Sequence, residues 1–142
     1  MSNSTLVGES TAVIVAAKRT SISTRGGRLA AVTVDKLASA VISAVHSEMQ
    51  SAVNSQATGG ASMGAAAQVG GVYLGNCMGP GGNLARVSTL GAGLPVTVPA
   101  MTIDTQCGSS LTAIITAANA ISTGQIPAGQ IAIAGGAESA ST

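Results

Sequence analysis

Residues 96–122, VTVPAMTIDTQCGSSLTAIITAANAIS, pass from a strand pattern to a helix pattern within a few positions. The part up to Ile103 is rich in strand-forming residues and is interrupted by Pro99, which predicts a strand followed by a turn. Beyond that turn, apolar residues recur at spacings of three and four, which predicts a buried helix. This apolar stripe consists of Leu111, Ile114, Ile115, Ala118 and Ile121. Cys107 therefore lies where a strand ends and a helix begins.

The position of Cys107 favours nucleophilic chemistry. The first turn of a helix offers unpaired N–H groups and the positive end of the macrodipole, and both favour a thiolate and an oxyanion formed beside it. Gly108 leaves room for the carbonyl group of a thioester or a similar acyl compound. The alternative is a structural cysteine, because free cysteines are usually small buried hydrophobes.

The composition limits the classes of function. The chain has 142 residues, a net charge of +1 and only 8% charged residues, which suits one domain and argues against a nucleic-acid surface or a polybasic membrane patch. Mean hydropathy is high at +0.48. Polar residues, glycines and Pro127 nevertheless interrupt every apolar run before the ~20 residues that cross a bilayer. Residues 1–10 lack the pattern of a signal peptide, so we expect a cytoplasmic protein.

Strand and helix patterns alternate along the rest of the chain. We predict strands at 12–17, 71–74 and 130–134, and helices at 34–50, with Thr33 as N-cap, and at 83–90. With the strand and helix around Cys107, the order is βαβαβαβ, which predicts an α/β fold with a mainly parallel sheet and helices on both faces. Residues 51–69 are rich in Ser, Ala and Gly, and we interpret them as a low-complexity insertion.

The remaining reactive side chains give weaker signals. Cys77 and Cys107 do not make a disulfide framework, and with His46, the only histidine, they do not make a metal site. We expect His46 to be structural or solvent-facing and Cys77 to pack near an interface. A basic loop contains Lys18, Arg19, Arg25 and Arg28. It suits a solvated or subunit-facing surface better than a phosphate site.

Several segments together resemble the N-terminal half of a thiolase. They are VAAKRT at 15–20, YLGN at 73–76, AGLPVTVPA at 92–100, DTQCGSSL at 104–111 and AGGAES at 134–139. The resemblance implies a thiolase-like half-domain in which Cys107 is the nucleophile that takes an acyl group from acyl-CoA. It also implies coenzyme A thioesters as substrates without a permanently bound cofactor, and a dimer or tetramer. Arg86 matches an arginine that the family places in the helix after the glycine-rich turn.

The resemblance also implies partners that this sequence does not contain. Thiolases continue through a loop domain and a second copy of the fold, which carry a Gly-His-Pro histidine, a second cysteine in a Cys-x-Gly motif and most of the coenzyme A pocket. We therefore expect residues 1–142 to be an incomplete N-terminal thiolase domain, completed by a missing or separate C-terminal portion or associated with copies of itself. The substrate-binding residues stay unknown.

Two other functions remain open at this point. DTQCGSSL also resembles the DTxCSSSL motif of decarboxylating ketoacyl synthases, although Gly108 stands where that motif has serine. Alternatively, the chain is a non-catalytic fragment that docks with a thiolase-fold subunit.

Overall fold

The computed structural model of the chain describes residues 11–56 and 68–142, which form alternating helices and strands. The elements are α1 (Val34–Gln56), β1 (Gln68–Gly75), α2 (Leu84–Gly91), β2 (Ala100–Ile103), α3 (Ser109–Ser122) and β3 (Gln130–Gly136). The strands form a parallel sheet in the order β2-β1-β3. The predicted α/β class with a parallel sheet is confirmed.

Helices cover both faces of the sheet. On one face, α1 packs against α2, and Val72, Leu74 and Ile133 of the sheet join them in a buried apolar cluster. The other members of this cluster are Ala38, Ile42, Ala85, Leu94 and Val98. On the other face α3 packs against β1 and β3. Side chains of successive strand residues point to opposite faces, so this arrangement gives a helix–sheet–helix sandwich.

The face that α3 buries differs from the predicted one. Its smallest residues lie against the sheet, with Ala113, Ala117 and Ala120 at most 4% exposed. In contrast, Leu111 is 64% exposed and Ile115 is 51% exposed. The prediction that this apolar stripe is buried is therefore wrong for Leu111, Ile114 and Ile115, whereas Ala118 and Ile121 are partly buried. Alanine allows the helix backbone to approach the sheet closely, and the larger side chains then project away from it.

The predicted first strand, at 12–17, does not form in the structure. These residues line a groove of about 720 Å³ whose other walls are α1, α3 and β3, and Val13, Ile14 and Val15 are exposed. A strand needs hydrogen bonds from a neighbouring strand, and the described strands pair only with one another, β1 with β2 and with β3. An apolar run alone predicted the strand without showing what it pairs with.

Three element boundaries also differ from the predictions. Helix α1 continues to Gln56, beyond the predicted end at residue 50. The sequence contains no glycine or proline at positions 51–58, so nothing ends the helix before then. The predicted insertion at 51–69 therefore loses its first six residues to α1 and its last two to β1, and 57–67 lie outside the described residues. Strand β2 begins only at Ala100, because Pro99 cannot donate to a sheet and residues 95–98 form a turn.

No helix within residues 11–56 and 68–142 is both long enough and apolar enough to cross a membrane.

Candidate active site

The candidate site lies at the carboxyl edge of the parallel sheet. Each strand ends there and leads into a loop, so residues 76–82, 104–108 and 137–141 are neighbours. Two backbone hydrogen bonds continue the sheet into these loops. Asn76 N donates to Ile103 O at 3.1 Å, and Ala137 N donates to Gly75 O at 3.0 Å. The loops therefore keep a fixed relation to one another.

Cys107 lies in the loop between β2 and α3, directly before the helix, as predicted. Its side chain is exposed. The preceding residue, Gln106, has φ 56, the single positive φ of a non-glycine residue in the described part of the chain. Such a conformation is uncommon for a residue with a β-carbon, and it persists only where surrounding contacts hold it.

Side-chain hydrogen bonds hold this turn. Asp104 Oδ1 accepts a hydrogen bond from Gln106 N at 2.9 Å. Ser109 Oγ, on a residue that is 5% exposed, accepts from Thr105 N at 2.9 Å and donates to Gln106 O at 2.6 Å. A further bond of 2.8 Å joins the hydroxyls of Thr105 and Thr112. The backbone on both sides of Cys107 is thereby fixed to the first turns of α3.

Two glycines of the sheet allow α3 to begin this close to the strands. A β-carbon on Gly75 would lie 2.6 Å from the carbonyl oxygen of Ser109 and would also overlap the backbone nitrogen of Ser110. A β-carbon on Gly136 would lie 2.8 Å from Ser110 Cβ. The absence of side chains at these positions is thus what places Cys107 at the sheet edge.

Glu138 joins the loops that follow β1 and β3. Its Oε2 accepts hydrogen bonds from the backbone N–H groups of Cys77 and Met78, each at 3.0 Å, and from Cys77 Sγ at 3.3 Å. Its Oε1 accepts from Asn76 Nδ2 at 3.2 Å. The same Nδ2 donates to Ala137 O at 2.9 Å. One carboxylate therefore fixes the turn after β1.

These bonds shift the pKa values of both partners. Burial alone would raise the pKa of Glu138, but hydrogen bonds from Cys77 N, Met78 N and the Cys77 thiol outweigh it and lower the pKa. The pKa of Cys77 is raised, chiefly by its hydrogen bond to Glu138 and then by burial. Glu138 is therefore an anion at neutral pH that holds Cys77 as a neutral thiol.

Glu138 was not among the site residues predicted from the sequence. It lies 61 residues from Cys77, and no local spacing indicates the contact. The only signal was its place in the AGGAES segment.

The chain matches the family model described as "Thiolase, N-terminal domain" over residues 12–142. The chain belongs to the thiolase family.

Named relatives agree with this membership. The chain is 43% identical, over 92% of its length, to "Putative acetyl-CoA C-acetyltransferase YhfS" of Bacillus subtilis strain 168. It is 56% identical over 49% of its length to "Putative acetyl-CoA C-acetyltransferase VraB" of Staphylococcus epidermidis. It spans 30% and 18% of these two proteins, respectively.

A solved structure shows the same fold. The crystal structure of the Bacillus anthracis acetyl-CoA acetyltransferase superposes with a TM-score of 0.60 and 31% sequence identity, covering 84% of this chain and 27% of that one. The thiolase chain therefore spans less than a third of the length of each of these three proteins.

The other residues singled out in the thiolase sequence have structural contacts. His46 Nε2 lies 3.0 Å from Gln50 Nε2 on the same helix, and Lys18 forms an ion pair of 2.7 Å with Glu48. The arginines of the basic loop are exposed, as expected. Arg86 donates to Val98 O at 2.8 Å and to Val96 O at 2.9 Å, which fixes the turn before β2. None of these contacts brings a described base to Cys107.

Proposed function

We propose that this chain is the N-terminal part of a thiolase-type acyltransferase in which Cys107 accepts an acyl group from acyl-CoA. The observation that carries the proposal is the placement of an exposed thiol at the start of α3, after a residue of positive φ, in a turn held by Asp104 and Ser109. Both named relatives and the solved structure are described as acetyl-CoA acetyltransferases, which supports a short acyl-CoA as the first substrate to test.

In the proposed reaction, Cys107 Sγ attacks the thioester carbonyl carbon. A carbon–sulfur bond to Cys107 forms, the bond to coenzyme A sulfur breaks, and coenzyme A leaves as a thiolate. The negative charge on the carbonyl oxygen develops near the N-terminus of α3, whose dipole is positive there. The acyl group then passes to the carbanion of a second acyl-CoA, or the sequence runs in reverse as thiolysis.

The proton of the Cys107 thiol needs a base. No histidine lies near Cys107 in residues 11–56 and 68–142, since His46 belongs to α1 and contacts Gln50. The family resemblance places the base in the C-terminal portion of a thiolase. We therefore propose that turnover requires that portion, as a further part of the polypeptide or as a second chain.

An exposed apolar surface supports such a partner. Leu111, Ile114 and Ile115 of α3 are 64%, 41% and 51% exposed on a helix that begins at the site. Contiguous exposed apolar residues usually mark an interface. We propose that this surface packs against the C-terminal thiolase portion, and that the complete protein is a dimer or tetramer. Free cysteines at the site suit a reducing compartment, and we propose the cytoplasm.

We prefer a thiolase reaction to that of a decarboxylating ketoacyl synthase because the family model that matches the chain is that of thiolases. A docking role without catalysis shares the apolar surface of α3, so the reactivity of Cys107 distinguishes the two functions.

Competition between acetyl-CoA and a thiol reagent tests the nucleophile. We expect iodoacetamide to alkylate Cys107 and acetyl-CoA to slow that alkylation. Cys107→Ala should remove the protected site while leaving the fold intact. Cys77→Ala is the matched control and should keep the protection. Alkylation of Cys107 at the same rate with and without acetyl-CoA would refute the assignment and favour the docking role.

Native mass spectrometry of the purified protein tests the partner. The expected result is either a single polypeptide long enough to carry the remaining thiolase motifs or a stable complex with a second chain that carries them. Copies of this chain alone, without such a partner, would contradict the proposed interface.

A further inference from the structure

We propose that Glu138 is a positioning residue that keeps Cys77 a neutral hydrogen-bond donor, so that Cys107 is the one reactive thiol of the site. The functional meaning rests on the proposed role of Cys107, whereas the chemistry of the Glu138–Cys77 pair can be tested without it.

The geometry around Glu138 is specific to an ionised carboxylate. Oε2 accepts from Cys77 N, Met78 N and Cys77 Sγ, and Oε1 accepts from Asn76 Nδ2. All four groups donate hydrogen bonds, so a protonated or amide side chain would place a donor against donors. The thiol therefore has a fixed acceptor for its proton at 3.3 Å.

The charged surroundings of Cys77 oppose its ionisation. A thiolate at Cys77 would place a second negative charge 3.3 Å from the carboxylate of Glu138. Asp104 and Cys107 act in the same direction, after Glu138 and burial, and raise the pKa of Cys77 further. Glu138, Asp104 and Cys107 thus all oppose a negative charge on this thiol.

A neutral Cys77 competes poorly for an acyl group carried at the same edge of the sheet. If Cys77 became a thiolate, its sulfur could attack the acyl carbon on Cys107. The new carbon–sulfur bond would form to Cys77, the bond to Cys107 would break, and Cys107 would leave as a thiolate that takes a proton from water. Only the thiolate is an effective nucleophile for this exchange, so a proton kept on Cys77 suppresses it.

Alkylation by iodoacetamide, resolved for each cysteine by peptide mass spectrometry, tests the proposal across a range of pH. In Glu138→Gln we expect the pH midpoint of Cys77 alkylation to fall and its rate at neutral pH to rise at least about threefold, because the like charge is removed. Glu48→Gln, which makes the same change of charge on α1, is the matched control and should leave Cys77 unchanged. An unchanged Cys77 midpoint in Glu138→Gln would overturn the proposal.

A second measurement uses the unmodified chain and does not depend on whether the variant folds. The pH midpoint of Cys77 alkylation should be higher in the folded protein than in the same protein in urea, where the contact with Glu138 is lost. Equal midpoints would overturn the proposal. If the midpoints differ but acetyl-CoA fails to protect Cys107, the Glu138–Cys77 pair stands and the proposed acyl transfer fails.

Discussion

Substitution of Gly75 by alanine tests how the sheet positions Cys107. The added β-carbon would lie 2.6 Å from Ser109 O and would overlap the backbone of Ser110. Both contacts are backbone atoms at the start of α3, so no side-chain rotation relieves them. Overpacking in protein cores costs typically ~1–3 kcal/mol, and we expect Gly75→Ala at or above the upper end, about 3 kcal/mol.

Two other glycines of the sheet give a graded comparison. The β-carbon of Gly136→Ala would meet the Ser110 side chain, with Cβ at 2.8 Å and Oγ at 3.0 Å. Because part of that contact is a small side chain, we expect a loss of about 1 kcal/mol. Gly135→Ala would meet nothing within 4 Å and is the matched control, with a change below ~0.5 kcal/mol.

The free energy of unfolding is measured for the three variants by urea titration, followed by far-ultraviolet circular dichroism. Native stabilities are only ~5–15 kcal/mol, so a loss of the expected size is readily resolved. Alkylation of Cys107 is measured on the folded fraction, and Gly75→Ala should alter its rate because the first turn of α3 must move. A Gly75→Ala protein as stable as Gly135→Ala, with unchanged Cys107 alkylation, would refute the close packing of α3.

Other predictions concern the contacts around the site. Asn83→Ala removes the side-chain cap of α2, which accepts a hydrogen bond from Arg86 N. Urea titrations should show a free energy of unfolding lower by about 1 kcal/mol, and an unchanged value would contradict the capping role. Since the folded-state pKa of Glu138 is lowered, its stabilising contribution is present above the unfolded-state pKa and is lost as pH falls through the folded-state pKa. Urea titrations over that acid range should thus show stability falling more steeply in the unmodified protein than in Glu138→Gln, whereas parallel curves would argue against the ionised clamp. Ile115→Lys places a charge on an exposed position of α3, so the free energy of unfolding of this chain should stay within ~0.5 kcal/mol of the unmodified value. The same substitution should weaken any complex with a C-terminal portion. A large loss of stability in the chain alone would show that the residue is buried.

The fold class could be predicted because it depends on local patterns. Alternating strand and helix signals indicate a parallel sheet, and the switch of period around Cys107 placed the thiol before α3. The helix predicted at 83–90 is present as α2, but Asn83 is its N-cap rather than its first residue.

Features that depend on tertiary contacts could not be predicted in the same way. An apolar stripe on α3 was expected to be buried, but the close approach allowed by Gly75 turns the alanine face to the sheet instead. The segment at 12–17 has a strand-like sequence, yet pairing requires a neighbouring edge that sequence does not reveal. Glu138 reaches Cys77 across 61 residues, so only the assembled sheet brings them together.

The most direct test of the central claim is to identify the residue that carries the acyl group. The purified protein, with any partner that co-purifies, is mixed with acetyl-CoA and the reaction is quenched in acid. Peptide mass spectrometry should locate the acetyl group on the peptide that contains Cys107, and Cys107→Ala should lose it while remaining folded. An acetyl group on Cys77 instead, or acetylation that persists in Cys107→Ala, would contradict the assignment of Cys107 as the nucleophile.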